Sequence, residues 1–341
     1  MGRKVLGLEV TPRTVKIALV QNGYHPELQS CSIFNISANI GGNTLSDDEK
    51  DLSTIALAIK ETTAKNKLLS RGVDSVALCV NNPQTVVRPI SLPVLPDAEL
   101  NAAVEFELSQ SFPGLGKTHV ISFKEYSRSK DKIFGIVSFS PRKSLEPYRR
   151  LLEILEYKRS YIDVMANSEA KAYASFVGPA KSDRVCFLCD IDSSSTQFTI
   201  LKRREVLHSR QITEGVGSLK EIFRDTMGIK ASEYEQLALE DLQAMDIPES
   251  ELSAISRAAY SPIVEQLQQT IEFYNQDSGG LFPVAEVLLI GGGSIFPKLD
   301  DYFSSALGIP AAQVSPLNNV RADRITFVRS FSAIGAAVRE D

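Results

Sequence analysis

Apolar residues along this chain switch between two periods. Short, dense apolar runs at Val5–Val10, Ser75–Val80, Val185–Cys189 and Val287–Ile290 predict strands buried on both faces. Longer stretches carry apolar residues every three or four positions and predict helices. Examples are Leu52, Ile55, Ala56 and Ile59; Leu100, Ala103, Val104 and Leu108; Leu145, Tyr148, Leu151, Leu152 and Leu155. Two strands around the turn Thr11-Pro12-Arg13 open the chain, and a third runs from Ser30 to Ile36. A Gly- and Asn-rich loop follows at 39–43, then a helix started by the capping box Ser46 to Glu49 and ending near Gly72.

The middle of the chain changes character. Strands are predicted at Val86–Leu92, Ile121–Tyr126 and Ile133–Phe139, with a helix capped by Asp97 and stopped at Phe112-Pro113-Gly114. With the helix through Leu155, this block reads as a small α+β unit inserted in the first half. An alanine-rich helix, Ser168–Phe176, closes at Gly178-Pro179. The opening pattern then returns. A strand to Cys189, the polar turn Asp190–Thr196, and strands at Gln197–Leu201 and Glu205–Ile212 precede Gly215-Val216-Gly217-Ser218. Capping boxes follow at Ser218/Glu221 and Ser232/Glu235, and Pro262 suits the first turn of a long helix ended by Gly279-Gly280. The chain closes with a predicted strand, Ile325–Val328, and a small-residue helix, Ser332–Val338.

Strand, glycines, then helix, as in Val287–Leu299, is a layout that can hold a nucleotide. Glycines let backbone approach a ligand, and a helix start offers unpaired N–H groups. A polar turn between two strands occurs twice, at Glu9–Thr14 and Asp190–Thr196. This weak internal duplication predicts two similar α/β halves around a cleft, with phosphates between the two turns and the base near Gly291–Gly293.

Composition narrows the function classes. The chain has 341 residues, 43% apolar and 23% charged, as in ordinary globular proteins. A net charge of -5 gives no basic footprint for nucleic acid. No apolar run is long enough to span a membrane, and the N-terminus lacks a signal-peptide core, so a cytoplasmic protein is expected. Cys186 and Cys189 share a strand but point to opposite faces, which argues against a metal knuckle. The histidines His25, His119 and His208 have no neighbours at metal spacing, and no nucleophile motif is present.

Gly7-Leu8-Glu9-Val10 with Val15-Lys16, Asp190-Ile191 with Ser195-Thr196, Ile290-Gly291-Gly292-Gly293-Ser294 and Ala333-Ile334-Gly335-Ala336-Ala337 follow one another in an order that resembles the actin-like ATPase superfamily. Leu92-Pro93 through Glu99-Leu100 to Phe112-Pro113 resembles the inserted subdomain of one branch, the PilM family of type IV pilus assembly proteins. The resemblance implies two actin-like (RNase H-like) halves around a nucleotide cleft. The expected boundaries are 1–176, with the insertion at about 84–160, then 177–320, and 321–341 returning to the first half. It also implies ATP and Mg. The nucleotide would meet Glu9, Thr14, Lys16, Asp190, Asp192, Ser193, Ser194 and Thr196, then Gly215, Gly217, Gly291, Gly292, Gly293 and Ser294, with Glu9 and Asp190 toward the metal. The implied role is a cytoplasmic scaffold of the inner-membrane assembly platform. It would hold the short cytoplasmic N-terminal tail of a PilN-like bitopic membrane protein, beside other platform proteins and assembly ATPases, with no membrane insertion of its own. A groove between the first subdomain and the inserted one is expected for the tail.

The chain departs from the family pattern at the phosphate turns. Glu9 stands for the usual Asp, Thr11-Pro12 for Gly-Ser, and Asp192 for Gly. Pro12 removes one backbone N–H, and Asp192 adds negative charge where phosphates would lie. At most weak ATPase activity is expected. Alternative readings are a small-molecule kinase of the same fold, which needs a base near the transferred phosphate, an FtsA-like filament former, or a GspL-like secretion component. The chain ends at Arg339-Glu340-Asp341 without FtsA's C-terminal amphipathic helix.

Overall fold

The computed structural model describes residues 2–11, 14–36, 45–66, 72–178, 183–229, 241 and 245–339. Pro12, the loop at 39–43, Pro179 and the Ser232/Glu235 capping box lie outside the described residues.

Strands β1 (Lys4–Val10), β2 (Thr14–Gln21), β3 (Glu27–Asn35), β4 (Val73–Val80) and β8 (Arg159–Val164) form a five-stranded sheet in the order β3-β2-β1-β4-β8. Strands β9 (Val185–Ile191), β10 (Thr196–Lys202), β11 (Glu205–Ile212), β12 (Val284–Ile290) and β13 (Ala311–Gln313) repeat that order as β11-β10-β9-β12-β13. In each sheet three antiparallel strands are extended by two parallel ones. The internal duplication read from the two polar turns is therefore a duplication of whole sheets. The inserted unit is a third sheet, β5 (Val86–Pro93), β7 (Lys132–Pro141) and β6 (His119–Arg128), in the order β5-β7-β6. Helix α2 (Asp97–Ser111) and the short α3 (Leu115–Thr118) complete it, with Val104 and Leu108 buried against Ile133 and Val137.

Helix α1 (Glu49–Lys65) buries Leu52, Ile55, Ala56 and Ile59 on the first sheet. Helix α4 (Arg142–Leu155) joins it there through Tyr148, Leu151, Leu152 and Leu155, so its apolar face belongs to the core of the first sheet. Helix α5 (Met165–Phe176) and α10 (Phe331–Ala337) fill the space between the two large sheets. They pass so close that a Cβ on Gly335 would lie 1.8 Å from the Ser168 carbonyl oxygen. Helices α6 (Leu219–Met227), α7 (Glu249–Asp277) and α8 (Leu299–Leu307) cover the outer face of the second sheet.

Several local expectations change. Ile325–Val328 is not a strand but part of helix α9 (Arg324–Arg329). Asp323 caps it by accepting from the Thr326 N–H at 2.8 Å, and this cap overrides the β-branched residues. The first helix is capped by Asp48, whose Oδ1 accepts from the N–H groups of Lys50 and Asp51; Ser46 accepts from the Asp48 N–H instead. Pro96, not Asp97, holds the N-cap position of α2, without a side-chain cap bond. Ser218 is the N-cap of α6, also without one. Pro262 lies well inside α7, which starts at Glu249. The edge strands β8 and β13 were not foreseen from their patterns.

Candidate functional site

Two regions concentrate buried polar chemistry: the cleft between the two large sheets and a groove under the inserted one. In the cleft, hairpin register places Glu9 on β1 opposite Lys16 on β2. The Lys16 ammonium donates to Glu9 Oε1 at 2.9 Å and, across the cleft, to Asp192 Oδ2 at 3.3 Å. Asp192 follows β9 in the equivalent turn of the second half. Its other carboxylate oxygen accepts from the Ser193 N–H at 2.8 Å. Asp190, two residues earlier at the end of β9, accepts from the Ser332 hydroxyl at 3.1 Å. Glu169, from α5, reaches the same place and accepts from the Thr199 hydroxyl at 2.5 Å.

Burial sets the protonation of this group. Burial pushes Glu9 up to about 7; Lys16 opposes, and the charges of Asp190 and Asp192 add to the rise. Burial alone would lower Lys16, yet the carboxylates of Asp192, Glu9 and Asp190 outweigh it and hold the ammonium above its ordinary value. Burial also works against ionised Asp192, but Lys16, the Ser193 N–H and Arg329 keep it below the usual carboxylate range. Burial and the charge of Asp190 raise Glu169 well above its ordinary value, and burial raises Asp190 as well.

The remaining residues read from the sequence fall around these turns. Thr14 shares its hydroxyl with Thr11 at 2.8 Å, and Thr11 also bonds the Thr14 carbonyl. Thr196 donates to the Glu214 carbonyl at 2.8 Å, and Ser294 to the Gly291 carbonyl at 2.8 Å. Gly215 and Gly217 press on Ser193, where an added Cβ would come within 2.6 and 2.8 Å of its backbone. Gly291, at φ +85°, has room for no Cβ beside Asp190 Oδ1, and Gly293 packs on Ile191 and Val216. Gly292 alone of the three faces open space. Ser193 and Ser194 lie in the second turn.

These donors do not fit a nucleoside triphosphate. A phosphate nest needs free backbone N–H groups and close approach. Here the Asp192 carboxylate occupies the Ser193 N–H, the Lys16 ammonium is engaged twice, the Thr14 hydroxyl is taken by Thr11 and the Thr196 hydroxyl by the Glu214 carbonyl. Among the described residues no group of three or more His, Cys, Asp or Glu is placed to hold a metal ion. Sequence reasoning missed Glu169; a lone acid within the alanine-rich stretch of a buried helix was its signal.

The groove is a cavity of about 610 Å³ between the inserted sheet, α4, β8 and Arg339. Its apolar surface includes Val87, Val120, Phe139, Leu145, Ile162 and Val164. Val120 and Ile162 are exposed large apolar side chains among the described residues. One wall is held by a buried ionic corner. Asp163 on β8 accepts from Asn167 at 2.7 Å and lies 2.6 Å from the Lys171 ammonium, which also donates to the Val338 carbonyl at 2.7 Å. Lys124 lines the opposite side and donates to Asn167 at 3.4 Å. Burial and the nearby cations Lys171, Arg204 and Arg339 lower it to about 8, with Asp163 opposing.

A family model described as type IV pilus assembly protein PilM matches residues 7–332. No curated protein matches the sequence significantly. Among solved structures, a PilM–PilN type IV pilus biogenesis complex is similar at TM-score 0.76 and 20% identity, over 98% of this chain and 97% of that one. Ethanolamine utilization protein EutJ from Carboxydothermus hydrogenoformans is similar at TM-score 0.53 and 12% identity, over 98% and 90%. MreB5 of Spiroplasma citri bound to ADP is similar at TM-score 0.51 and 11% identity, over 98% and 94%. These likenesses show the fold, that of the actin-like ATPases.

Proposed function

Because the chain belongs to the PilM family of type IV pilus assembly proteins, we propose that it is a scaffold of the inner-membrane assembly platform whose groove seats the cytoplasmic N-terminal tail of a PilN-like membrane protein. The observation that carries this reading is the open cavity beneath the inserted sheet, apolar in its middle and ringed by Lys124, Arg142, Arg149 and Arg339. An extended segment suits it, because alternate residues of β6, Val120, Ser122 and Lys124, face the cavity opposite the edge strand β8. The protein would be cytoplasmic and reach the membrane through that partner; among the described residues no helix is long and apolar enough to cross a bilayer. Other platform proteins and assembly ATPases would engage it away from this groove.

The test is titration of a fluorescent tail peptide by anisotropy. Val120→Glu and Ile162→Glu place charge on apolar groove surface that is 39% exposed at each position. Each should weaken binding about tenfold or more, which is about 1.4 kcal/mol, with an unchanged melting temperature. Leu57→Glu on α1, away from the groove, should bind like wild type. Equal affinity for all four proteins would remove the groove from the proposal.

A further inference from the structure

The cleft carries a second device, independent of the groove. Lys16 is the point at which the two halves meet in charge: β2 of the first half supplies the ammonium, and the turn after β9 of the second supplies Asp192. We propose that the Glu9–Lys16–Asp192 ion pair takes the place of a nucleotide as the charged link between the two halves, so that this chain closes its cleft without ATP.

Three observations carry this. In both hairpin turns, backbone donors among the described residues are already taken up by the turn itself. Thr11 N–H donates to the Thr14 carbonyl at 2.9 Å and Asp192 N–H to the Ser195 carbonyl at 3.0 Å, while the Ser193 N–H is held by the Asp192 side chain. Next, the Asp192 carboxylate stands between the turns, where close backbone approach to a phosphate would require a glycine. Finally, the charges around Lys16 are anionic. Asp192, Glu9 and Asp190 converge there, with Arg329 the further cation acting on Asp192. A triphosphate would have to displace Lys16 from its carboxylates and then face them. The same geometry makes Lys16 indispensable, because removing it leaves buried Glu9 and half-buried Asp192 without their shared partner.

The test uses the full chain. Thermal unfolding is followed with and without millimolar Mg-ATP, and hydrogen exchange is read in the hairpins around Glu9–Lys16 and Ile191–Thr196. A ligand at about 100 times its dissociation constant would raise the melting temperature of a chain this long by about 4 °C. The expected wild-type shift with Mg-ATP is none. Lys16→Met should lower the melting temperature and speed exchange in both hairpins together. Should that variant fail to fold, Asp192→Asn, which keeps the shape of the turn, should speed exchange in both hairpins. In the Lys16→Met/Asp192→Asn double variant the loss should fall short of the sum of the single losses. A wild-type shift of several degrees with Mg-ATP would overturn the proposal. So would strictly additive losses, or exchange that rises in one hairpin only.

Discussion

Replacing Lys171 by Met isolates the buried corner that shapes the groove. Met keeps most of the side-chain volume, so the change removes charge and hydrogen bonds rather than packing. Lys171 loses Asp163 Oδ2 at 2.6 Å and the Val338 carbonyl at 2.7 Å. Asp163 keeps the Val164 N–H at 2.9 Å, Asn167 at 2.7 Å and, at 3.6 Å, Arg339. The two partners report different balances. Burial would raise Asp163, but Lys171, Asn167 and Arg339 hold it below the usual range, whereas burial outweighs Asp163 and lowers Lys171. The retained contacts to Asp163 and the desolvation cost on Lys171 both place the loss at the low end for a broken buried pair, about 3 kcal/mol. In a chain of this length that is a fall of roughly 4 °C in melting temperature. The assay is thermal unfolding of Lys171→Met, Asp163→Asn and the double variant. Neutralising both members should recover at least about 1 kcal/mol relative to the summed single losses. A Lys171→Met protein within about 0.5 kcal/mol of wild type, or strict additivity, would refute the assignment of this corner as a coupled ionic unit.

Two further outcomes are expected. Glu9 has its pKa raised from an ordinary value of 4.5 to about 7, so the stability it contributes is full below pH 4.5 and lost as pH rises through 7. Glu9→Gln should remove that loss, gaining on the order of 2 kcal/mol on wild type between pH 5 and pH 8; parallel melting-temperature profiles of the two proteins across this range would contradict it. Gly335→Ala places a Cβ 1.8 Å from the Ser168 carbonyl oxygen, forcing α5 and α10 apart, and should cost about 2–3 kcal/mol by urea denaturation.

Much of the fold was legible because its strands and helices keep strict periods. The Glu9/Lys16 pairing follows from a hairpin with the turn at residues 11–13, and the doubled sheet order follows from two such turns. The misses have physical reasons. Edge strand β8 reads Arg159-Ser160-Tyr161-Ile162-Asp163-Val164, and its period is obscured because one side faces the groove and Asp163 is buried by Lys171 rather than by apolar packing. Ile325–Val328 has strand-like side chains, but the Asp323 cap makes a helix of it. The glycines were legible as close approaches, but what approaches them is the chain itself. A groove between the first subdomain and the inserted one was expected from the family resemblance, but its residues could not be read, because they come from many elements far apart in sequence and no short motif marks them.

Helix α5 explains why an actin-like cleft would persist in a chain whose phosphate turns have changed. Glu169 and Lys171 stand two residues apart on it and therefore point in different directions. Glu169 enters the cleft and meets Thr199 and Asp190 of the second half. Lys171 meets Asp163 and the Val338 carbonyl and so holds the groove wall. The same helix packs along α10, which supplies Ser332 to Asp190 in the cleft and leads into Arg339 at the groove. Loosening the junction of the two halves would therefore disturb the two helices on which the groove wall is built. A permanent ion pair at Lys16 keeps that junction assembled whatever the nucleotide supply, which is what a scaffold requires. A switch would instead need a cleft whose closure depends on a ligand that comes and goes.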